Sequence, residues 1–277
     1  MSKLIIFSLI GIATIAISGY FVFSFFQSGQ TLLLIDFGAK RYASDNIVVS
    51  GLRKGQNVTL PFIVRGEARV FENVLNVRLK EKDGTLLFES IAISQSPDMG
   101  IFGPFEKEVN YLFAEPKDKN VVLDVYWLSP KDGSEIDMVS LPLRLELGET
   151  SKAKLFFNNS NFDPEFSCNK VFPVERIVPK VQAPARQAME LLLEGPTALE
   201  SSQGSFSSIN SGVKIQKLTI ADNVARVDFD EMLEFQVGGS CRVAATRAQI
   251  TETLKQFSTV KNVIISINDR TEDILQP

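Results

Sequence analysis

Cys168-Asn-Lys-Val-Phe-Pro-Val-Glu-Arg176 runs into an extended segment interrupted by Pro173, and three further segments follow it in order. They are Leu191-Leu-Leu-Glu-Gly-Pro-Thr197, Gly238-Gly-Ser-Cys241-Arg242 and Gln249-Ile-Thr-Glu-Thr-Leu-Lys-Gln-Phe257. Around them the rhythm alternates strands with helices. Lys154–Phe157 reads as a first strand and Val171–Val178 as an extended segment. Pro184 sits at a first-turn position, with Ala185, Ala188, Met189, Leu191 and Leu192 at helical spacing and Gly195-Pro196 as the stop. After a Ser/Gly-rich loop over 201–212, Val213–Ile220 and Val224–Phe229 form a hairpin across Ala221-Asp-Asn223. Ser240 is read as the N-cap of a second helix that carries Val243, Ala244, Arg247, Ile250, Leu254 and Phe257 on one face, and Val263–Ile267 closes the sheet. The expected layer is α+β, with two helices on one sheet.

Outward from this region, residues 46–148 change character. Short runs rich in Val, Ile, Leu and Phe succeed one another at 47–49, 58–64, 68–71, 74–79, 86–88, 109–113, 121–127 and 141–147, with Asp83-Gly84 and Asp132-Gly133 as hairpin turns. This spacing predicts an antiparallel all-β sandwich. Leu141, Leu143, Leu145 and Leu147 share one strand face, and Pro142 on the other predicts an edge strand.

Both regions resemble known families. The four segments resemble the GerMN domain of sporulation and germination proteins, over 152–270. Pro61–Glu72, Gly103-Pro-Phe105 and Ser129–Ser134 resemble the immunoglobulin-like domain of bacterial spore germination proteins, over 46–148. The resemblance implies a multi-domain chain: an immunoglobulin-like sandwich, then an α+β GerMN domain. It implies a sandwich without an inter-sheet disulfide, and no cysteine lies in that stretch. One departure stands out. Gly204–Gly212 lacks the threonine and the proline of the family's Gly-x-x-Thr-x-Ile-Pro-x-Gly pattern.

At the N-terminus, Leu4 to Phe26 is an uncharged apolar run that, as a helix of about 23 residues, spans about 35 Å, enough for a hydrocarbon core of about 30 Å. It is read as an uncleaved single-pass transmembrane anchor over 1–27, with a tether over 28–45 and extracytoplasmic domains beyond it, in the bacterial cytoplasmic membrane.

Composition bounds the chemistry. The formal net charge is −4 with Lys and Arg dispersed, which argues against nucleic acid. Histidine is absent, removing the usual general base, zinc ligand and nucleophile partner. For Cys168 and Cys241 two readings stand: a disulfide, suited to an oxidising compartment, or a reactive Cys241 at a helix N-terminus beside Arg242; without a histidine the first is favoured. Asp222, Asp228, Asp230, Glu231 and Glu234 offer a calcium site or a glycosidase pair, yet match no calcium-loop pattern and read more simply as solvated loop charges. Phe235, Phe102 and Phe105 lie in Gly-containing loops and are candidate partner contacts. The expectation is a non-enzymatic envelope module without cofactor or metal, binding envelope proteins, peptidoglycan or further copies of itself. The alternatives are a cell-wall hydrolase or its activator, and a peptide- or sugar-binding protein.

Overall fold

The computed structural model of the 277-residue chain describes residues 14–17, 20–23, 42–98, 100–165 and 167–276. The expected membrane helix lies largely outside these residues. Within its span two short strands, β1 (Thr14–Ile17) and β2 (Tyr20–Phe23), pair antiparallel. Runs of β-branched and aromatic residues suit a strand as well as a helix, and a short apolar run cannot be assigned from periodicity alone. No helix among the described residues is long and apolar enough to cross a membrane.

The first domain is a sandwich of two sheets. Its strands are β3 (Tyr42–Ala43), β4 (Ile47–Ser50), β5 (Asn57–Val58), β6 (Phe62–Ala68), β7 (Val74–Glu81), β8 (Leu86–Ile93), β9 (Gly103–Val109), β10 (Asn120–Leu128) and β11 (Glu135–Leu145). One sheet runs β5-β11-β10-β7-β8 and the other β3-β4-β6-β9. Leu75, Val77 and Leu79 of β7 meet Leu123 and Val125 of β10 on the inner faces, all buried. Gly84 and Gly133 turn the two expected hairpins with positive φ of 90° and 74°, where a Cβ is costly. The run 109–113 is not a strand, apart from one backbone bridge described below. The strand begins earlier, at Gly103, and Phe71–Asn73 is a 3-10 turn rather than the end of a strand. Pro142 lies in a strand flanked on its outer side only by two-residue β5, close to the expected edge.

The outer face of the larger sheet carries a charged network. Asp124, fully buried, accepts from Arg78 Nη2 at 3.2 Å, Lys80 Nζ at 2.6 Å and Ser140 Oγ at 2.7 Å. Arg78 also grips Glu135 with two hydrogen bonds of 2.6 and 2.9 Å and stacks on the Tyr126 ring at 4.6 Å. The hydrogen bond from Arg78 holds the Glu135 carboxyl below the usual carboxylate range.

The second domain begins with β12 (Thr150–Asn159) and β13 (Phe172–Pro179), paired antiparallel. Helix α1 (Pro184–Glu194) starts with its proline in the first turn, and α2 (Ala198–Ser202) follows; β14 (Ser205–Phe206) completes a sheet ordered β13-β12-β14. A second sheet, β15 (Ile215–Ala221), β16 (Val224–Phe229) and β17 (Asn262–Ile267), is separate from the first, with α3 (Ser240–Lys255) between β16 and β17. The expected single sheet with two helices is therefore two three-stranded sheets and three helices. The hairpin turn over Asp222 and Asn223 has both residues at positive φ, 52° and 61°.

Helix α3 buries Val243, Ile250 and Leu254 and packs Phe257 on the core as expected, but its start and the rest of its enclosed side differ. Gly239, not Ser240, is the N-cap, and Ser240 is the first helical residue. The buried side includes Thr246, Gln249 and Thr253, all fully enclosed, whereas Arg247 reaches out to donate to Ile274 O at 2.9 Å. Gln249 Nε2 donates to Asn158 Oδ1 at 2.7 Å and Thr246 Oγ1 to Ser208 O at 3.2 Å, while Thr253 Oγ1 accepts from Phe156 N–H at 3.1 Å. Asn158 in turn donates to the carbonyls of Cys168 and Lys170, both at 3.0 Å. These polar residues tie the helix to the end of β12 and to the loop Ser207-Ser208, which is the loop that departs from the family pattern.

Cys168 and Cys241 form a disulfide across 73 residues, fastening the loop between β12 and β13 to the first turn of α3. By chain entropy a loop of this length is worth about 4 kcal/mol. Reduction is expected to lower the stability of the second domain by up to about 4 kcal/mol. Urea unfolding followed with and without reductant measures it; an unchanged midpoint would remove the disulfide from the account.

Candidate functional site: the joint between the domains

The two domains meet where the segment between β9 and β10 passes the free edge of β13. Leu112 and Ile177 exchange both backbone hydrogen bonds at 2.8 Å, so one residue pair continues the second domain's sheet into the first domain. Beside this bridge the Arg176 guanidinium lies 4.4 Å from the centre of the Tyr111 ring. Arg176 is wholly buried, with 0% of its surface exposed, and Tyr111 is almost as enclosed.

A buried guanidinium needs a paired anion and satisfied hydrogen bonds. Glu200 provides the anion: its carboxylate accepts from Arg176 Nε at 3.1 Å and Nη2 at 2.7 Å, and Nη2 also donates to Gly195 O at 2.9 Å. The same carboxylate accepts from Thr197 N–H at 2.7 Å, while Thr197 Oγ1 accepts from Glu200 N–H at 3.2 Å, a capping box that starts α2. The Gly195-Pro196-Thr197 motif thus ends α1, starts α2 and holds the partner of Arg176. Burial alone lowers the Arg176 pKa, but the hydrogen bonds and charge of Glu200 outweigh it, and the net displacement is upward. Burial also raises the Tyr111 pKa, so the ring stays neutral under the cation. Its hydroxyl donates to Glu89 O at 3.3 Å. Arg176 Nη1 and Asn110 Oδ1 are buried without a hydrogen-bond partner among the described residues.

Over the joint lies a cleft of about 290 Å³. Its first-domain wall is Asn76, Glu89, Ser90, Ile91, Lys107 and Tyr111, and its second-domain wall is Arg176 and Glu194 through Ala198. Glu194 accepts from Asn110 Nδ2 at 3.2 Å, a further tie across the joint.

The aromatic residues expected at a surface divide. Phe235 is 55% exposed, on a loop whose carbonyls at Met232 and Phe235 accept from Asn210 Nδ2 at 2.7 and 2.8 Å. Phe102 lies at the surface under the Arg69 guanidinium, 4.8 Å from its ring centre. Phe105 does not belong with them. It is 4% exposed and packs inside the sandwich over Gly66, where an added Cβ would come within 2.7 Å of its ring. Alternation explains it, because Phe105 and Gly66 face each other on the inner side of β9 and β6. Phe162, outside the expected contacts, is 65% exposed and lies 5.3 Å from the Phe172 ring, and Arg176 takes a role that its place in an apolar strand does not signal.

The acidic stretch forms no joint site. Asp228 is buried and accepts from Ser266 Oγ and Asp269 N–H; Asp230 accepts from Lys214 N–H; Glu234 pairs with Arg270; Glu231 accepts from Asn268 Nδ2. Asp222 lies exposed in the hairpin turn, each of the other four carboxylates serves a different structural partner, and no group of three or more metal-ligating side chains assembles among the described residues.

Comparison with known proteins accords with this architecture. Residues 46–134 match the family model described as the immunoglobulin-like domain of bacterial spore germination, and residues 154–273 match the model described as sporulation and spore germination. The chain therefore carries a spore-germination immunoglobulin-like domain followed by a sporulation and spore germination domain of the GerMN type. Among solved structures it is similar to the tandem GerMN domains of the sporulation protein GerM from Bacillus subtilis, at 20% identity over 44% of this chain and 41% of that one, with a TM-score of 0.33. The first GerMN domain of the same protein matches at 20% identity over 44% and 85%, TM-score 0.32. A putative lipoprotein from Clostridium perfringens matches at 16% identity over 46% and 80%, TM-score 0.30. The chain thus spans about two fifths of the tandem-domain protein. No curated protein matches it.

Arg176→Met is expected to cost about 3–5 kcal/mol, because it leaves Glu200 buried without its cation. Adding Glu200→Gln should recover part of that loss. Urea unfolding of the three proteins gives the comparison; a single substitution costing under about 1 kcal/mol would show that the buried pair is not what holds α2 against β13.

Proposed function

We propose that this chain is a non-enzymatic binding and scaffolding module of the bacterial cell envelope, held at the membrane by the apolar run Leu4 to Phe26 with its two domains on the extracytoplasmic side. The observation that carries the reading is the joint itself. Residues that mark the GerMN motif, Arg176 and Gly195-Pro196-Thr197, are used to fix one domain against the other and to wall a cleft, whose two carboxylates, Glu89 and Glu194, accept hydrogen bonds from Tyr126 and Asn110. A rigid two-domain body with an open cleft is suited to holding a partner. Both family models carry sporulation and germination in their descriptions, which supports an envelope setting. The disulfide fits an oxidising location.

The hydrolase alternative meets the dispersal of the acidic side chains: Asp228 and Glu234 spend their oxygens on Ser266, Asp269 and Arg270. Partner candidates on this reading are envelope proteins or peptidoglycan, with self-association as a further mode.

The test uses the full chain in detergent micelles with purified sacculi that keep their attached proteins. Saturable co-sedimentation without release of soluble muropeptides is expected, and so is retention of the chain by membrane vesicles that is lost when residues 4–26 are deleted. Muropeptide release that disappears with Asp228→Asn or Glu234→Gln would overturn the reading and make the protein a hydrolase.

A further inference from the structure

One corner of the first domain is left unzipped. Strands β8 and β9 lie side by side but belong to different sheets and form no ladder with one another. Among the described residues they are held by backbone hydrogen bonds only at the ends: Gln95 N–H donates to Pro104 O at 2.8 Å, and beyond β9 Phe113 N–H donates to Leu87 O at 2.8 Å. The direction of the backbone groups between these points follows from the register. Ser94 N–H donates to Asn73 O, and Val74 stands opposite Ile93, so hydrogen-bonded pairs alternate through Leu75–Ala92 and Val77–Ser90. The N–H and C=O groups of Glu89, Ile91 and Ile93 therefore point away from β7, toward the open side. Tyr111 meets the Glu89 carbonyl, and Ile91 and Ile93 remain outside any ladder on that side.

Two side-chain features coincide with this edge. Ile91 and Ile93, two residues apart on one face, are 55% and 53% exposed. The cleft over the joint begins at Glu89, Ser90 and Ile91, and its charged lining is Glu89 and Glu194 against Lys107 and Arg176, the last already neutralised by Glu200; Glu89 accepts from Tyr126 Oη at 2.9 Å and Glu194 from Asn110 Nδ2 at 3.2 Å. An exposed strand edge with apolar flanks is a template for another strand.

We propose that an extended polypeptide segment of a partner protein adds to β8 along Glu89–Ile93, with its apolar side chains beside Ile91 and Ile93 and a basic residue over Glu89 and Glu194. This rests on the binding-module reading and names the partner's chemistry. Donors and acceptors repeating at every second residue match an extended backbone, which a glycan or a lipid does not reproduce. The excess of carboxylates over ammonium in the cleft selects a basic segment over an acidic one. The GerMN motif Gly195-Pro196-Thr197 forms the facing wall, so both domains contribute to the site.

The test exploits the phase of β8. The Ile91 N–H points off the sheet, so Ile91→Pro removes no ladder hydrogen bond and leaves the fold intact. Ile91→Lys serves as a second variant, since a lysine on an edge strand discourages pairing. The probe is a fluorescein-labelled synthetic peptide, Lys-Val-Thr-Val-Thr-Val-Lys, read by fluorescence anisotropy against the full chain in micelles. Saturable binding is expected, weakened at least about tenfold by either variant and by replacing the terminal lysines of the peptide with glutamates, with unchanged thermal melting of the protein. Absent binding, equal binding to the variants or equal binding of the glutamate peptide would overturn the proposal. Self-association of the full chain, seen by sedimentation velocity and abolished by Ile91→Pro, would also overturn it, by giving the edge to a second copy. Co-sedimentation with sacculi is read in parallel: if it persists while the peptide fails, only the β8 site falls, and if both fail the binding-module reading falls with it.

Discussion

The buried guanidinium of Arg176 is the constraint around which the rest of this molecule is arranged. A cation with no exposed surface cannot stand alone in a protein interior, and each group that satisfies it comes from a different element. Glu200 on α2 supplies the charge, Gly195 at the end of α1 supplies a carbonyl, and Tyr111 from the first domain supplies an aromatic face. A desolvated cation over an aromatic ring is worth up to about 2 kcal/mol, more than an exposed ion pair returns. The position of α2, the turn between the two helices and the seating of the sandwich on the second domain are thus one problem with one solution.

The second domain adds a further polar fastening. Thr246, Gln249 and Thr253 lie on the enclosed side of α3, where apolar residues are the usual choice, and each has a hydrogen-bond partner on β12 or the neighbouring loop. Directional bonds of this kind fix a helix's rotation and height more sharply than apolar contact does. The disulfide secures the same helix at its first turn. Together they hold the loops that carry Phe162 and Phe235 at the surface, while the cleft sits at the opposite concern of the chain, the seam with the sandwich.

Much of this was legible in the residues. Alternating apolar runs with Asp-Gly turns gave the sandwich, Pro184 and Gly195 bracketed α1, and two cysteines in a histidine-free chain led to a disulfide. The failures have physical causes. The face of α3 is legible only in part: Val243, Ile250 and Leu254 are buried as expected, but pattern reading counts apolar residues, and the enclosed Thr246, Gln249 and Thr253 are invisible to it. Glycine and proline before Phe105 signal a surface loop, whereas strand alternation turns its ring inward over Gly66. Arg176 stood in plain view between Val174 and Val178, a charged residue in an apolar strand. Its partners lie 24 residues on in sequence and in another domain, and tertiary pairing of that kind has no local signature.

The claim that Arg176 and Tyr111 join the domains is tested most directly by a double-mutant cycle. Tyr111→Leu and Arg176→Met, singly and together, would be compared in the full chain by urea unfolding. The account predicts a coupling free energy of about 1–2 kcal/mol between the two positions, with the first and second domains unfolding more independently in each variant. Additivity to within about 0.3 kcal/mol would contradict it, because the two side chains would then stabilise their own domains separately.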